Sequence, residues 1–136
     1  TEERAAREME KKRAKVWTFA DVRTLLRKLS RDRRPNETYS AYQKQKSELK
    51  ESIIGQPFED TVYLRDIVGE KSWIVSLSSD REWKPTTSIE VVFTTDDNSV
   101  QDLQRRRVVK VSGTIRNLRT LLATVLVLDD DARIEQ

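Results

Sequence analysis

Trp73-Ile74-Val75-Ser76-Leu77-Ser78 and, after a loop, Ile89-Glu90-Val91-Val92-Phe93-Thr94 decide how this chain folds. In the first segment Trp73, Val75 and Leu77 alternate with Ile74, Ser76 and Ser78. In the second, Ile89, Val91 and Phe93 alternate with Glu90, Val92 and Thr94. A period of two places alternate side chains on opposite faces of a strand. Each segment therefore has one strongly apolar face and one weaker face, as the wall of a small barrel requires. Strands are expected over 72–78 and 87–95.

The flanking sequence supplies the rest of the barrel. Val62, Tyr63, Leu64, Ile67 and Val68 are β formers and Gly69-Glu70 ends their run, so a first strand is expected over 59–68. Asn98 or Ser99 is placed to cap a short helix over 98–107, through Val100 and Leu103. A fourth strand over 108–115 contains Gly113, at a position suited to the bend or bulge that lets a small barrel close. A fifth, over 123–128, is apolar on both faces, and 132–134 continues it beyond Asp129-Asp130-Asp131. Five strands with a helix between the third and fourth give the order of a five-stranded Greek-key barrel of the OB type, expected over 55–136 and antiparallel throughout.

Residues 1–54 read as a basic helical extension of two or three helices, so the fold class is mainly β with N-terminal α. The run 2–15 is rich in helix formers but holds only Ala5, Ala6 and Met9 as apolar positions, a marginal helix alone. Thr18 is placed as an N-cap, with Asp21 reaching back and Trp17 stapling onto Val22. Phe19, Val22, Leu25, Leu26 and Leu29 follow at helical spacing, a stripe that needs the barrel or a second copy of the chain to bury it. Pro35 ends this helix in a loop over 31–36. A further helix is expected over 38–52, with Ser40 and Gln43 at capping-box spacing and Tyr39, Tyr42, Leu49 and Ile53 along one side. The two tyrosines and the leucine stripe read as the seam between helices and barrel. Gly55-Gln56-Pro57 breaks the helix and opens the barrel.

The chain has 136 residues, enough for one domain with a real core. Hydrophobic residues make up 36% and charged residues another 36%, so that core must come from a few concentrated segments. Residues 1–50 carry 15 Lys or Arg against 8 Asp or Glu, and 51–136 carry 11 against 15, so the basic character belongs to the N-terminal part. A basic segment attracts nucleic acid, anionic lipid or an acidic protein surface, or is simply a solvated helical face. No apolar stretch approaches the roughly 20 residues of a membrane span. Thr1 leads straight into a helix-forming run, which predicts further sequence upstream. With no cysteine to read, the compartment stays open.

Gly55-Gln56-Pro57-Phe58, then Val62-Tyr63-Leu64-Arg65-Asp66-Ile67, Leu103, Val109-Lys110-Val111-Ser112-Gly113-Thr114-Ile115, and finally Val125-Leu126-Val127-Leu128 with Ala132-Arg133-Ile134 form a hydrophobic and glycine pattern. Over about residues 38–136 it resembles the bacterial tRNA-anticodon-binding-like OB-fold domains. The resemblance implies a helical lead-in, a barrel and a place in an exported or membrane-attached protein. It implies neither a defined activity nor tRNA binding.

With no His and no Cys, the usual general bases, thiol nucleophiles and metal-ligand pairs are missing, so no enzyme, cofactor or metal is expected. The acids Glu59-Asp60, Asp96-Asp97 and Asp129-Asp130-Asp131 all lie at strand ends. The triple Asp lacks the alternating spacing and distal Glu of a calcium loop, and reads as a solvated turn.

Nucleic-acid binding needs aromatic platforms and a basic track across strands two and three. If Trp73 and Phe93 face the core, the outer face keeps Ile74, Ser76, Ser78, Glu90, Val92 and Thr94, with no ring for stacking. The opposite phase buries Glu90 unpaired, which is costly, so the first is expected. Trp83, between Arg81 and Lys84, is either an interface anchor or folds back over the barrel edge. Arg105, Arg106, Lys110, Arg116 and Arg119 form either an electrostatic footprint or surface charge balancing the acidic turn. Together these residues point to a non-enzymatic OB-fold module for protein–protein contact, self-association or assembly within a larger protein, membrane-linked proteins included. The alternative is a single-stranded nucleic-acid binder, weak and salt-sensitive, that uses the basic arm and the Arg105 to Arg119 cluster.

Overall fold

A computed structural model describes residues 15–103 and 107–135. Six strands, β1 (Pro57–Gly69), β2 (Trp73–Ser78), β3 (Ile89–Thr95), β4 (Val108–Arg119), β5 (Thr124–Leu128) and β6 (Arg133–Glu135), follow two helices, α1 (Phe19–Leu29) and α2 (Tyr39–Glu51). The first five strands close a barrel in the order β1-β2-β3-β5-β4, with β4 returning to β1. Residues 129–132 interrupt the last strand, and β6 resumes beside β4, with Val111 opposite Ile134.

All neighbours are antiparallel except β3 and β5, where Ile89 lies beside Thr124 and Val92 beside Val127 in parallel register. The wholly antiparallel barrel expected from the sequence is therefore corrected. The reason is parity: strands alternating in direction around a ring of five must leave one parallel pair.

The alternation behaves as the sequence requires except at Ser78, expected on the outer face but buried, its Oγ accepting from Asp80 N at 3.1 Å where the β2–β3 loop begins. Val75, Leu77, Ile89, Val91 and Phe93 are buried, while Ile74 and Thr94 are exposed. Trp73 is half-buried, and its Nε1 donates to Asn98 Oδ1 at 3.0 Å. The helix expected over 98–107 is a single 3-10 turn, Asn98–Asp102, and Leu103 is already extended. Its cap is neither Asn98 nor Ser99: Asp97 Oδ1 accepts from Ser99 N at 3.0 Å. The turn lowers Val100 into the core.

Gly113 is not a bulge. The register shift in β4 falls between Ile115 and Asn117. Gly113 instead permits close approach, because a Cβ there would lie 2.9 Å from Ala132 Cβ and 3.0 Å from Ala132 Cα. Gly113→Ala is expected to lower the unfolding free energy by roughly 1–3 kcal/mol, read as a lower urea midpoint at unchanged slope. An unchanged midpoint would show that β6 moves aside at no cost.

One end of the barrel is filled by α1. Phe19, Val22 and Leu25 are buried within the same cluster as the barrel residues, and the Phe19 and Phe58 rings meet edge-to-face with centroids 5.2 Å apart. Burial of each such side chain stabilises by about 1.5–3 kcal/mol. The helix is tied on by Asp60, whose Oδ2 accepts from Phe19 N at 2.8 Å, while Asp21 Oδ2 accepts from Thr18 N at 3.0 Å. Trp17 extends the sheet, its N donating to Pro57 O at 2.8 Å and its O accepting from Glu59 N at 3.0 Å. The leucine stripe thus packs on the barrel, with Leu25 buried and Leu26 and Leu29 half-covered.

The second helix holds on more loosely. It contributes no buried residue, and Ile53 just beyond it is fully buried. Tyr39 is 67% exposed and takes no part in the seam assigned to it; the apolar side is too narrow to turn it inward. Nor do Ser40 and Gln43 form the cap, since Thr38 Oγ1 accepts from Ala41 N at 3.2 Å. Tyr42 ties the second helix to the loop after α1, donating its hydroxyl to Arg31 O at 2.7 Å, and Lys46 lies 4.2 Å over its ring. In the loop between the helices, a two-pronged bond from Arg31 at 2.9 Å holds the Glu37 carboxyl down at about 2. The marginal helix expected over 2–15 falls, but for Lys15, outside the described residues.

Candidate functional site

The β2–β3 loop, 79–88, has no repeating secondary structure, yet its short polar side chains tie it down. Ser88 Oγ accepts from Lys84 N at 2.9 Å and donates to Asp80 Oδ2 at 2.8 Å. Ser79 Oγ accepts from Ile89 N at 2.8 Å, and Lys84 O accepts from Ser88 N at 2.8 Å. Trp83 is therefore carried on a braced loop. A side chain positioned this way loses little entropy on binding.

The partner of Trp83 is Arg65, whose guanidinium lies 4.1 Å from the ring centroid. Arg65 reaches it because β1 is bulged there: Leu64 pairs with Leu77 and Asp66 with Ser76, leaving Arg65 as the additional residue. Bulges re-aim side chains in this way. Arg65 also donates to Glu90 Oε2 at 2.6 Å, and the same oxygen accepts from Ser76 Oγ at 2.7 Å. A chain of contacts thus runs Trp83, Arg65, Glu90, Ser76 across β1, β3, β2 and the loop. It gives Glu90, on a half-apolar face, the partner its charge requires.

Two hollows meet at Arg65. One, of about 710 Å³, is lined by Tyr63, Leu64, Arg65, Ser78, Arg81, Glu82 and Trp83. The other, of about 370 Å³, is lined by Arg65, Asp66, Val68, Ile74, Ser76 and Glu90, with Val68 58% and Ile74 51% exposed. Together they form one groove over the outer face of β1, β2 and β3. Tyr63, Trp83, Arg65 and Arg81 line one half, and Val68 and Ile74 stand beside Asp66, Ser76 and Glu90 in the other.

Of the residues singled out from the sequence, Arg81 and Trp83 line this groove and exposed Lys84 sits beside them. The other basic residues do not converge on it. Lys110 pairs with Glu59, a bond that raises its pKa, with Glu135 adding to the effect. Arg116 lies 3.9 Å from Asp129, an exposed and long pairing. Lys110 and Arg116 stand six positions apart along β4, about 20 Å at strand rise. Arg119 ends β4, exposed. Arg105 and Arg106 lie outside the described residues. Arg116 and Asp129 fit the charge-balance reading of that cluster.

The acidic turn has a structural task. Asp131 Oδ2 accepts from Thr114 Oγ1 at 2.7 Å, and Asp129 N donates to Thr114 O at 2.9 Å, fixing the break between β5 and β6. Among the described residues no cluster of carboxylates is arranged to hold a metal ion. Nor, among them, is any helix long and apolar enough to cross a membrane.

Sequence reading missed Arg65 and Tyr63. Periodicity cannot announce a bulge; the one available signal was Glu90, an acid that needed a cross-strand cation. No protein-family model, curated protein or solved structure matches this chain.

Proposed function

We propose that this chain is a non-catalytic interaction module of the OB type, and that it contacts a protein partner through the Tyr63, Arg65 and Trp83 groove. The observation that carries the reading is the stacked Arg65–Trp83 pair on a braced loop, open along one side to Ile74 and Val68. Trp, Tyr and Arg are the side chains that dominate binding energy at protein interfaces. The strand order supports the barrel type, whose β2–β3 face is its customary contact surface.

Single-stranded nucleic acid fits this surface poorly. A base stacking on the Arg65 side of Trp83 must first displace the guanidinium, and Asp66, Glu82 and Glu90 line the same hollows. Any affinity for nucleic acid should come from the basic N-terminal part, indifferent to base sequence and lost with added salt. A titration with labelled single-stranded oligonucleotide, with and without residues 1–34, tests this. Weak binding that vanishes in moderate salt and on truncation is expected. Tight binding that survives both and falls with Trp83→Ala would transfer the groove to nucleic acid.

A further inference from the structure

The β4–β5 connection reads Thr120-Leu121-Leu122-Ala123, between Arg119 and Thr124. Tight hairpin turns ordinarily carry Gly, Asn, Asp or Pro, which adopt the turn geometry or hydrogen-bond it. This turn has none of them. Leu121 is 93% and Leu122 97% exposed, whereas the next most exposed large apolar side chain, Tyr39, stands at 67%. The core gains nothing from the two leucines, because Leu118, Leu126 and Leu128 already fill it from the flanking strands. Bare apolar side chains placed together mark a surface meant to be covered.

Shape and charge identify what covers it. Side chains standing this clear of the protein form a convex tip, and two leucines fall far short of the roughly 1,000 Å² a specific protein interface needs. In the boundary layer of a bilayer they would be covered entirely. Residues 117–128, which hold the tip, contain exposed Arg119 and no acid. The parallel pairing of Ile89 with Thr124 brings the β2–β3 loop to the same end, with exposed Arg81 and Lys84 against exposed Glu82. Asp80 of that loop is engaged by Ser88. An apolar tip rimmed by cations complements anionic headgroups over hydrocarbon, and stable attachment requires both signals together.

We propose that the β4–β5 tip is a contact for an anionic membrane surface, with Leu121 and Leu122 entering the acyl boundary and Arg119, Arg81 and Lys84 lying among the headgroups. This surface is separate from the Trp83 groove, which neither leucine lines.

Flotation of the purified chain with vesicles of phosphatidylcholine alone, and of phosphatidylcholine mixed with phosphatidylserine, tests it. The chain should float with the mixed vesicles and remain behind with the neutral ones. The double variant L121S/L122S should lower partitioning roughly a hundredfold, and Arg119→Gln about fivefold. Tyr39→Ala, a change at an exposed ring away from the tip, should float as the parent does. Thermal melts of the loop variants should match the parent, since the tip packs on nothing. Failure of the parent to float overturns the proposal, as does flotation of the double variant at parental levels. A parent that sediments as a dimer and a double variant that sediments as a monomer would also overturn it, assigning the tip to a second copy of the chain.

Discussion

Phe58→Ala is expected to remove about 3–5 kcal/mol of stability. Phe58 is 1% exposed on β1, opposite Gly113 of β4 and edge-to-face with Phe19. It stands where α1, Trp17 and the barrel wall meet, and its removal opens a cavity that none of the three can close alone. Set against the 5–15 kcal/mol available to an ordinary domain, such a loss leaves a marginal fold. Denaturant unfolding would measure it, with Tyr39→Ala as the control. Tyr39 is mostly exposed, and its replacement should stay within about 0.5 kcal/mol. Equal effects from the two variants would show that α1 does not seal the barrel.

Trp83→Ala should act on binding and spare the fold. Trp83 lies outside the buried cluster, and its contact with Arg65 is partly exposed, so stability should fall by about 1 kcal/mol or less. Affinity for the partner should fall by at least about 2 kcal/mol, roughly thirtyfold, as for a central aromatic anchor. Arg65 would keep its bond to Glu90, so the groove loses its ring and retains its charge pattern. Trp83→Phe should recover a large share of the binding. Ordinary melting together with weakened capture is the expected combination.

The barrel was legible because its strands obey a period of two. Val75, Leu77, Val91 and Phe93 face inward as their spacing demands, and Thr18 with Asp21 marks the start of α1 to the residue. What escaped reading were features that period and propensity do not encode. Three successive residues at 65–67 that are not buried disguised the bulge that turns Arg65 outward. Tyr39 carries an apolar ring yet faces solvent, because Lys44, Lys46 and Lys50 leave α2 too polar to offer a wide buried face.

Of the site, Arg81, Trp83 and Lys84 were visible as an aromatic between two cations. Their partner was not, because Arg65 lies 18 positions earlier in the sequence and meets Trp83 only once β1 and β2 pair. The basic residues of β4 looked like one cluster in the sequence. A strand that turns its side chains alternately outward and spaces them by its rise spreads them along the wall instead. Leu121 and Leu122 gave no sign: they fall between the strands expected over 108–115 and 123–128, and spacing alone does not tell a connection that folds its leucines back from one that leaves them bare.

The most direct test of the groove is photocrosslinking from Glu82, an exposed residue on its rim. Glu82→p-benzoylphenylalanine would be introduced into the chain in its own host cell and irradiated, and the adduct treated in parallel with protease and with nuclease. The expected result is a polypeptide adduct that resists nuclease and disappears when Trp83→Ala is added. An adduct destroyed by nuclease, or one whose yield ignores Trp83→Ala, would contradict the assignment of this groove to a protein partner.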